Sequence, residues 1–471
     1  MKILFLTPPY KKDKIFRKSM KHLGAVLPPL GIAYVAAVLE RDDHEVRIID
    51  ATAESTVLDY NFDKLRKDIE DFQPDVVGVS GNIPQLENLQ ETLKIVKEIN
   101  PKIITIVGGP IVSSDINFLK KLPNADYGVL GEADLAISEI FKKLEKKEKI
   151  EGSEGLIWRE QNTVKSIKPR DIFDLDVIPM PARHLLKMHI YRPSPANYRR
   201  LPASTIMTSR GCPYKCTFCS RSIEGMAWRA HSAERVVDEF EELATKYGIK
   251  DVQIFDDTFT LHIKRIEDIC KGLIERNIDI GWNCMTRVDR VTVDLFKLMK
   301  KAGCYEVGFG IESGSDRILK FIKKSATTDQ IRHGVNLAKK AGIDVRGFFM
   351  LGFPTETKNE IMQTIKFAKE LNVDVAQFMI ATPYPGTEMW NIAKENGRIN
   401  DEDYSNFTFY APDKMPFSSE NFTDQELVNL YRKAYRSYYL RPKFIIKQLL
   451  KVRSLQDINR NWLAAKGITG F

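Results

Sequence analysis

No apolar run in the chain approaches the ~18–20 residues of a bilayer-spanning helix, so a helical membrane span is not expected. The apolar start Met1–Leu6 runs at once into Pro8 and Pro9, with no signal-peptide hydrophobic region or cleavage site behind it; the chain reads as cytoplasmic. Six cysteines in 471 residues are too few for a disulfide scaffold. Charge of one sign is also scarce: 71 Lys and Arg face 63 Asp and Glu. Residues 427–456 hold eight Lys or Arg and no Asp or Glu, which equals the whole excess of +8. The rest is near neutral, so a general nucleic-acid surface is not indicated. With 43% hydrophobic and 28% charged residues, whole-chain disorder, collagen and coiled coil are excluded. The length implies two or three domains.

What is present is alternation. In residues 1–150 short β-prone runs (2–7, 45–50, 76–80, 103–107, 127–130) alternate with helical spacing (31–41, 62–72, 86–99, 133–147). This predicts an α/β fold with a doubly wound parallel sheet. Ligands bind such sheets at the carboxyl ends of the strands. The loops there read Pro8-Pro9-Tyr10, Ser80-Gly81-Asn82, Gly108-Gly109-Pro110 and Gly131-Glu132. None is a G-x-G-x-x-G or a G-x-x-x-x-G-K-[ST] loop, so nucleotide binding of those kinds is not supported. The glycines either admit a ligand to the backbone or only make tight turns.

Residues 151–203 are rich in proline and read as a connector. From Ser204 the alternation restarts, with strands expected at 204–209, 251–255, 280–284, 305–311, 344–351 and 375–380. Helices fall between them at 233–247, 264–276, 293–302, 316–322 with 329–341, and 358–371. Six βα units over about 204–395 fit a partial (β/α)6 barrel, whose site would gather at the strand carboxyl ends.

At the first of those ends stand Cys212, Cys216 and Cys219, spaced C-x3-C-x2-C. Clustered thiols in a cytosolic chain suit soft metals. An iron–sulfur cubane wants four cysteines, so three would leave one iron open. The alternatives are zinc with His231 as fourth ligand, or three inert thiols. Cys270, Cys284 and Cys304 have apolar neighbours and read as small core residues.

The segment Cys212-Pro213-Tyr214-Lys215-Cys216-Thr217-Phe218-Cys219 resembles that of the radical S-adenosylmethionine enzymes. The resemblance implies a [4Fe–4S] cluster on these three cysteines, with S-adenosylmethionine on the fourth iron and a 5′-deoxyadenosyl radical on reduction. It places Asp256 and Asp257 near the methionine amine and Arg287 at the methionine carboxylate. Glu312 and Ser313, in Gly308-Phe309-Gly310-Ile311-Glu312-Ser313-Gly314, would meet the ribose. Thr382 lies in the matching loop after strand six.

The first domain is similar to the cobalamin-binding domain fused to many of these enzymes, through Pro8-Pro9-Tyr10, Pro28-Pro29-Leu30-Gly31, His44-Glu45-Val46 and Asp50-Ala51. The implied cobalamin residues are Pro9, Leu30, Gly31, Ser80, Gly108, Gly109, Gly131 and Glu132. One departure stands out. The D-x-H-x-x-G motif that supplies a lower axial histidine is missing: Ile15 stands two after Asp13, His22 has the wrong spacing, and His44 sits in a turn. Cobalamin is therefore expected without a histidine lower ligand.

The fusion implies methyl transfer to an unactivated centre of a small-molecule, lipid or tetrapyrrole-like substrate. It also implies a flavodoxin- or ferredoxin-like electron donor and no nucleic acid. The alternatives are an oxidative cyclase or rearrangement catalyst of the same family, and a non-catalytic cobalamin or metal sensor. A methylthiolation enzyme usually carries an upstream cysteine triad, and no cysteine precedes Cys212. Residues 396–471 read as a helical C-terminal region, opening with an aromatic loop (Tyr404, Phe407, Phe409, Tyr410). A helix over 427–440, capped by Thr423 and Glu426 and broken by Pro442, presents Tyr431, Tyr435, Tyr438 and Tyr439. Such a basic aromatic helix can touch a membrane peripherally. The reading taken is that it caps the barrel, apolar face inward.

Overall fold

The computed structural model describes residues 1–10, 25–396 and 421–451, with a few isolated positions between the last two segments. Seven strands form the first sheet: β1 (Lys2–Thr7), β2 (Glu45–Asp50), β3 (Val76–Ser80), β4 (Ile104–Gly108), β5 (Tyr127–Val129), β6 (Leu156–Glu160) and β7 (Thr163–Ser166). Their order is β2-β1-β3-β4-β5-β6-β7. The first five are parallel, and β6 and β7 add an antiparallel hairpin. Helices α1 (Leu30–Arg41), α2 (Ala51–Val57), α3 (Phe62–Phe72), α4 (Leu86–Ile99), α5 (Pro110–Ser114) and α6 (Ala136–Glu145) connect them. Both faces of β1 are buried, which explains its unbroken apolar run. Leu4 and Leu6 pack toward α3 and α4, while Ile3 and Phe5 pack toward α1 and α6.

The hairpin β6–β7 falls within 151–203, so the beginning of the expected connector belongs to this sheet. Half of its outer strand faces solvent, and such a strand carries no apolar run to read. The remainder of that stretch is latched to the second domain by Arg183. This side chain is fully buried, pairs with Glu239 at 2.6 Å and donates to the Thr205 carbonyl at 2.9 Å.

The second domain contains β8 (Ala203–Ile206), β9 (Ser209–Arg210), β10 (Arg229–Ala230), α7 (Ala233–Thr245), β11 (Asp251–Ile254) and α8 (Ile263–Glu275). It continues with β12 (Gly281–Thr286), α9 (Val293–Lys301), β13 (Cys304–Glu312), α10 (Asp316–Phe321), α11 (Thr328–Lys340), β14 (Asp344–Leu351), α12 (Lys358–Leu371), β15 (Val375–Ile380) and α13 (Glu388–Glu395). Six parallel strands in the order β15-β14-β13-β12-β11-β8 make the partial barrel. The expected strand 204–209 divides. Its first part joins the barrel, and Ser209–Arg210 turns away to pair antiparallel with β10. Cys270, Cys284 and Cys304 are buried in the barrel core, as small apolar residues would be.

An open barrel leaves two edge strands with unpaired backbone groups. The edge at β15 is closed by α14 (Asp424–Tyr439), which the Thr423–Glu426 capping box opens three residues before the expected start. Tyr435 donates to the Phe378 carbonyl at 3.0 Å and accepts from its N–H at 3.3 Å; Tyr439 does the same for Ala376 at 2.8 and 3.0 Å. Tyr438 reaches the Val373 carbonyl at 2.5 Å. The helix thus caps the barrel. Pro442 does not end the helical region: it opens α15 (Pro442–Lys451), since the first turn of a helix tolerates proline. Of the aromatic loop, Phe409 and Tyr410 lie outside the described residues, and Phe407 is buried.

Replacing Tyr435 with Phe leaves both groups of buried Phe378 unmet, at a cost of about 1–3 kcal/mol. Chemical denaturation of the purified chain reads this directly, and an unchanged midpoint would remove the edge-capping role from this hydroxyl.

Candidate functional site

The carboxyl ends of the two sheets border one cavity of about 840 Å³. The first domain contributes Tyr10, Asn82, Ile83, Pro84, Pro110 and Ser114. Tyr10 follows β1 and Asn82 follows β3, the adjacent strands at which the chain order reverses. A doubly wound sheet opens its ligand crevice at that point. The barrel contributes the three clustered cysteines, together with residues after β11, β12, β13 and β15.

The cysteines sit on a loop that its surroundings hold rigidly. Gly211 has φ +80°, and a Cβ there would lie 2.2 Å from the Ala227 carbonyl oxygen, so no other residue fits. Thr217 N–H donates to the Ile322 carbonyl at 3.0 Å, and Cys219 N–H to that of Cys216 at 3.2 Å. The Cys212 sulfur lies 3.8 Å from the Thr258 hydroxyl, and that of Cys216 lies 3.8 Å from the Lys323 carbonyl oxygen. Burial, with Asp257 and the other two thiols, pushes Cys219 up to about 12. Burial also raises Cys216, against the pull of Lys324. A metal here must therefore displace protons. Among the described residues no three His, Cys, Asp or Glu side chains converge on a single-ion site. Three thiols spread around one cavity suit a polynuclear cluster better than one zinc ion. His231 is not part of this lining; its Nδ1 lies 2.9 Å from Asp176 and its ring stacks on Tyr34.

Four of the six residues expected at S-adenosylmethionine line the cavity: Asp257, Arg287, Glu312 and Thr382. Asp256 and Ser313 do not. The Asp256 carboxylate is fully buried and accepts from Thr208 N–H, Thr208 Oγ1 and Ser209 Oγ, each at 2.6 Å. It pins the strand end that leads into the cysteine loop. Ser313 turns its hydroxyl toward Thr364 of α12 at 3.2 Å and accepts from Ser315 N–H. Arg287 is already engaged: its guanidinium donates to Asp289 and to the carbonyls of Lys324 and Ser325, and it lies 3.6 Å over the Tyr214 ring. Glu312, in the left-handed region at φ +63°, accepts from Lys324 at 2.8 Å. Gly310 makes room for that pair, since a Cβ there would lie 2.4 Å from Glu312 Oε1 and 2.6 Å from Lys324 Nζ. Lys324 is the charged lining residue that the sequence reading missed, along with apolar Met285, Phe348, Met350 and Met379. Burial pulls Lys324 toward neutrality, but Glu312 and the Cys216 thiol together outweigh this and raise it.

None of the eight expected cobalamin residues lines the cavity. They shape the backbone from which their neighbours reach it. The Pro9 carbonyl accepts from the Asn88 amide at 2.8 Å, and Tyr10 beyond it lines the cavity. Ser80 Oγ lies 2.5 Å from where a Cβ on Gly109 would be, and Gly109 (φ +85°) opens α5. Gly131 N–H donates to Ser113 Oγ at 3.0 Å. Gly31 and Gly108 have open space where a Cβ would point. Leu30 packs with Tyr34, Ile172, Leu175 and Ile178 toward the connector, so its side chain is core. His44 is buried against Phe141, with Nδ1 3.3 Å from the N-terminal nitrogen, a structural position. Asp13, Ile15 and His22 lie outside the described residues.

Glu132 is the largest departure. It is buried and joins the domains: its carboxylate accepts from Arg229 at 2.6 and 3.0 Å, with Arg210 at 3.4 Å. Asp134 takes Arg210 at 2.7 and 3.1 Å. Arg229 spends its remaining N–H groups on the carbonyls of Ala227, Ile172 and Glu224, so all five donors are used. Arg210 is also placed 5.1 Å over the Tyr34 ring. Burial alone would lower Arg210, but Asp134 and Glu132 raise it instead. These arginines stand on β9 and β10, the two strands that bracket the cysteine loop.

The Glu132→Gln substitution leaves Arg229 buried beside a neutral amide. Removing one member of a buried pair costs about 3–5 kcal/mol. A denaturation midpoint within the roughly ±0.5 kcal/mol of an ordinary surface change would contradict this placement.

Residues 206–368 match the Radical SAM superfamily, and residues 18–141 match the B12 binding domain. The chain is 39% identical to an uncharacterized methyltransferase of Pyrococcus horikoshii, over 96% of this chain and 95% of that protein. It is 26% identical to the anaerobic magnesium-protoporphyrin IX monomethyl ester cyclase of Rubrivivax gelatinosus, over 94% of this chain and 78% of that one. In fold it is similar to the cobalamin-dependent S-adenosylmethionine radical enzyme OxsB, solved with aqua-cobalamin and S-adenosylmethionine bound. That match has a TM-score of 0.78 at 18% identity, over 98% of this chain and 70% of that one. With both domains matched in this order, the chain belongs to the radical S-adenosylmethionine enzymes that carry a B12-binding domain ahead of the barrel.

Proposed function

We propose that this enzyme methylates an unactivated, apolar centre of its substrate, using a [4Fe–4S] cluster, S-adenosylmethionine and cobalamin. The single observation that carries the reading is the shared cavity: the cysteine loop and the switch point of the first sheet border the same space. Cys212, Cys216 and Cys219 would hold the cluster, whose chemistry would be one-electron reduction of the sulfonium, and Tyr10 and Asn82 would border the cobalamin, whose chemistry would be methyl donation.

The chain's own share is binding, orientation and exclusion of water. Asp257 is open to the cavity and suits the methionine ammonium by charge. Lys324, held charged on Glu312, is the cation available to the methionine carboxylate, because Arg287 is spent on Asp289 and two carbonyls. Met285, Phe348, Met350, Met379, Tyr384 and Phe407 supply an apolar wall. Such a wall keeps a reactive radical from water and protons. It holds no cation of its own, which favours a substrate with an apolar reacting carbon. Methionine side chains adapt their shape to the ligand. Exposed Lys215 on the cysteine loop suits an acidic one-electron donor of flavodoxin or ferredoxin type.

Anaerobic protein reconstituted with iron, sulfide and cobalamin is incubated with S-adenosylmethionine and a reductant, and the nucleosides are measured by mass spectrometry. Methyl transfer predicts both 5′-deoxyadenosine and S-adenosylhomocysteine, the latter only when cobalamin is supplied. Deoxyadenosine without S-adenosylhomocysteine assigns the enzyme to cyclisation or rearrangement instead. Cys212→Ala should lose iron and all deoxyadenosine; cleavage retained by this variant in folded form contradicts the cluster assignment.

A further inference from the structure

The helix that begins at Pro442 turns its apolar side away from the protein. Phe444 is its anchor, buried with its ring centroid 4.9 Å from that of Tyr439 and 5.5 Å from that of Tyr438. Lys447 adds an ion pair to Asp374 at 2.8 Å. On the opposite side Ile446 is 57% exposed, Leu449 67% and Leu450 79%, with Ile445 and the preceding Leu440 also exposed. At about 100° per residue, Ile445, Leu449, Ile446 and Leu450 form one continuous arc about 140° wide. Exposed Lys443 borders that arc, and Lys447 follows one turn on, on the side that meets Asp374.

A wide apolar arc of this kind normally faces a core. Here, among the described residues, Phe444 is the apolar side chain of this helix that is buried, and the arc is exposed. The flanking charge selects among occupants. Residues 427–456 carry eight cations and no carboxylate. On the outer side of α14, Arg432, Lys433 and Arg436 line a second open depression. An apolar strip bordered by Lys443 matches the interfacial region of an anionic bilayer, where acyl chains take the leucines and headgroups take the ammonium group. No helix among the described residues is long and apolar enough to cross a membrane, so the contact is peripheral.

We propose that α15 docks this enzyme on an anionic lipid surface, with Ile445, Ile446, Leu449 and Leu450 inserted and Lys443 at headgroup level. This proposal is independent of the reaction at the cavity, which lies elsewhere in the fold.

The test is co-sedimentation of the full chain, reconstituted with its cofactors, with two kinds of vesicle. One is pure phosphatidylcholine, and the other is equal parts phosphatidylcholine and phosphatidylglycerol. The protein should sediment with the mixed vesicles, more weakly with the neutral ones, and less in high salt. Leu449→Glu with Leu450→Glu should weaken binding about tenfold or more, with melting temperature and S-adenosylmethionine cleavage unchanged. Failure of the unaltered chain to bind either vesicle overturns the proposal, as does undiminished binding of the double variant. Vesicle binding that appears only after removal of residues 452–471 would assign the face instead to that segment and overturn the proposal. A dimer by light scattering that the double variant dissociates would assign it to a second copy.

Discussion

Arg210 and Arg229, standing on either side of the cysteine loop, are buried against Glu132 and Asp134 from the other domain. Buried charges are expensive unless every donor is met, and Arg229 meets all of its own. The consequence is positional. The hairpin β9–β10 carries the thiols, and it is tied to the loop after β5 of the first sheet. The cysteine loop cannot move away from the first domain without unpairing buried charge. One cavity bordered by both sheets follows from that constraint, and with it the possibility that two cofactors serve one substrate.

The barrel solves the problem of an open sheet by spending side chains on its edges. Arg183 from the connector meets the Thr205 carbonyl at one edge. Tyrosine hydroxyls from α14 meet both backbone groups of Ala376 and Phe378 at the other. Neither segment contributes to the cavity lining. Both allow six strands to stop short of closure, and the first domain meets the barrel at the strand carboxyl ends.

Much of this was readable from the residue pattern. The βα alternation, the position of the cysteine triad, and the placing of Asp257, Arg287, Glu312 and Thr382 on the cavity wall came from local strings, though Arg287 is turned onto Asp289 and two carbonyls. What was misread depends on partners far along the chain. Glu132 follows a ligand-type Gly131 loop, yet its partner Arg229 is 97 residues away. Asp256 stands beside a lining carboxylate but points back to Thr208, 48 residues earlier. Lys324 lies in a run with Lys320 and Lys323 that looks like an ordinary solvated face, and only the fold turns one of the three inward. Pro442 reads equally as the end of one helix or the start of the next. The hairpin β6–β7 was missed because an edge strand needs no apolar run.

The central claim is that the charged interface holds the cluster and the cobalamin against one space. Electron paramagnetic resonance of the fully reconstituted protein tests it, with the cluster reduced and the cobalt in its paramagnetic divalent state. The account predicts that the cobalt signal is broadened and relaxes faster when the cluster is reduced than when it is oxidised. Two independent signals, unchanged by the oxidation state of the other centre, would contradict it.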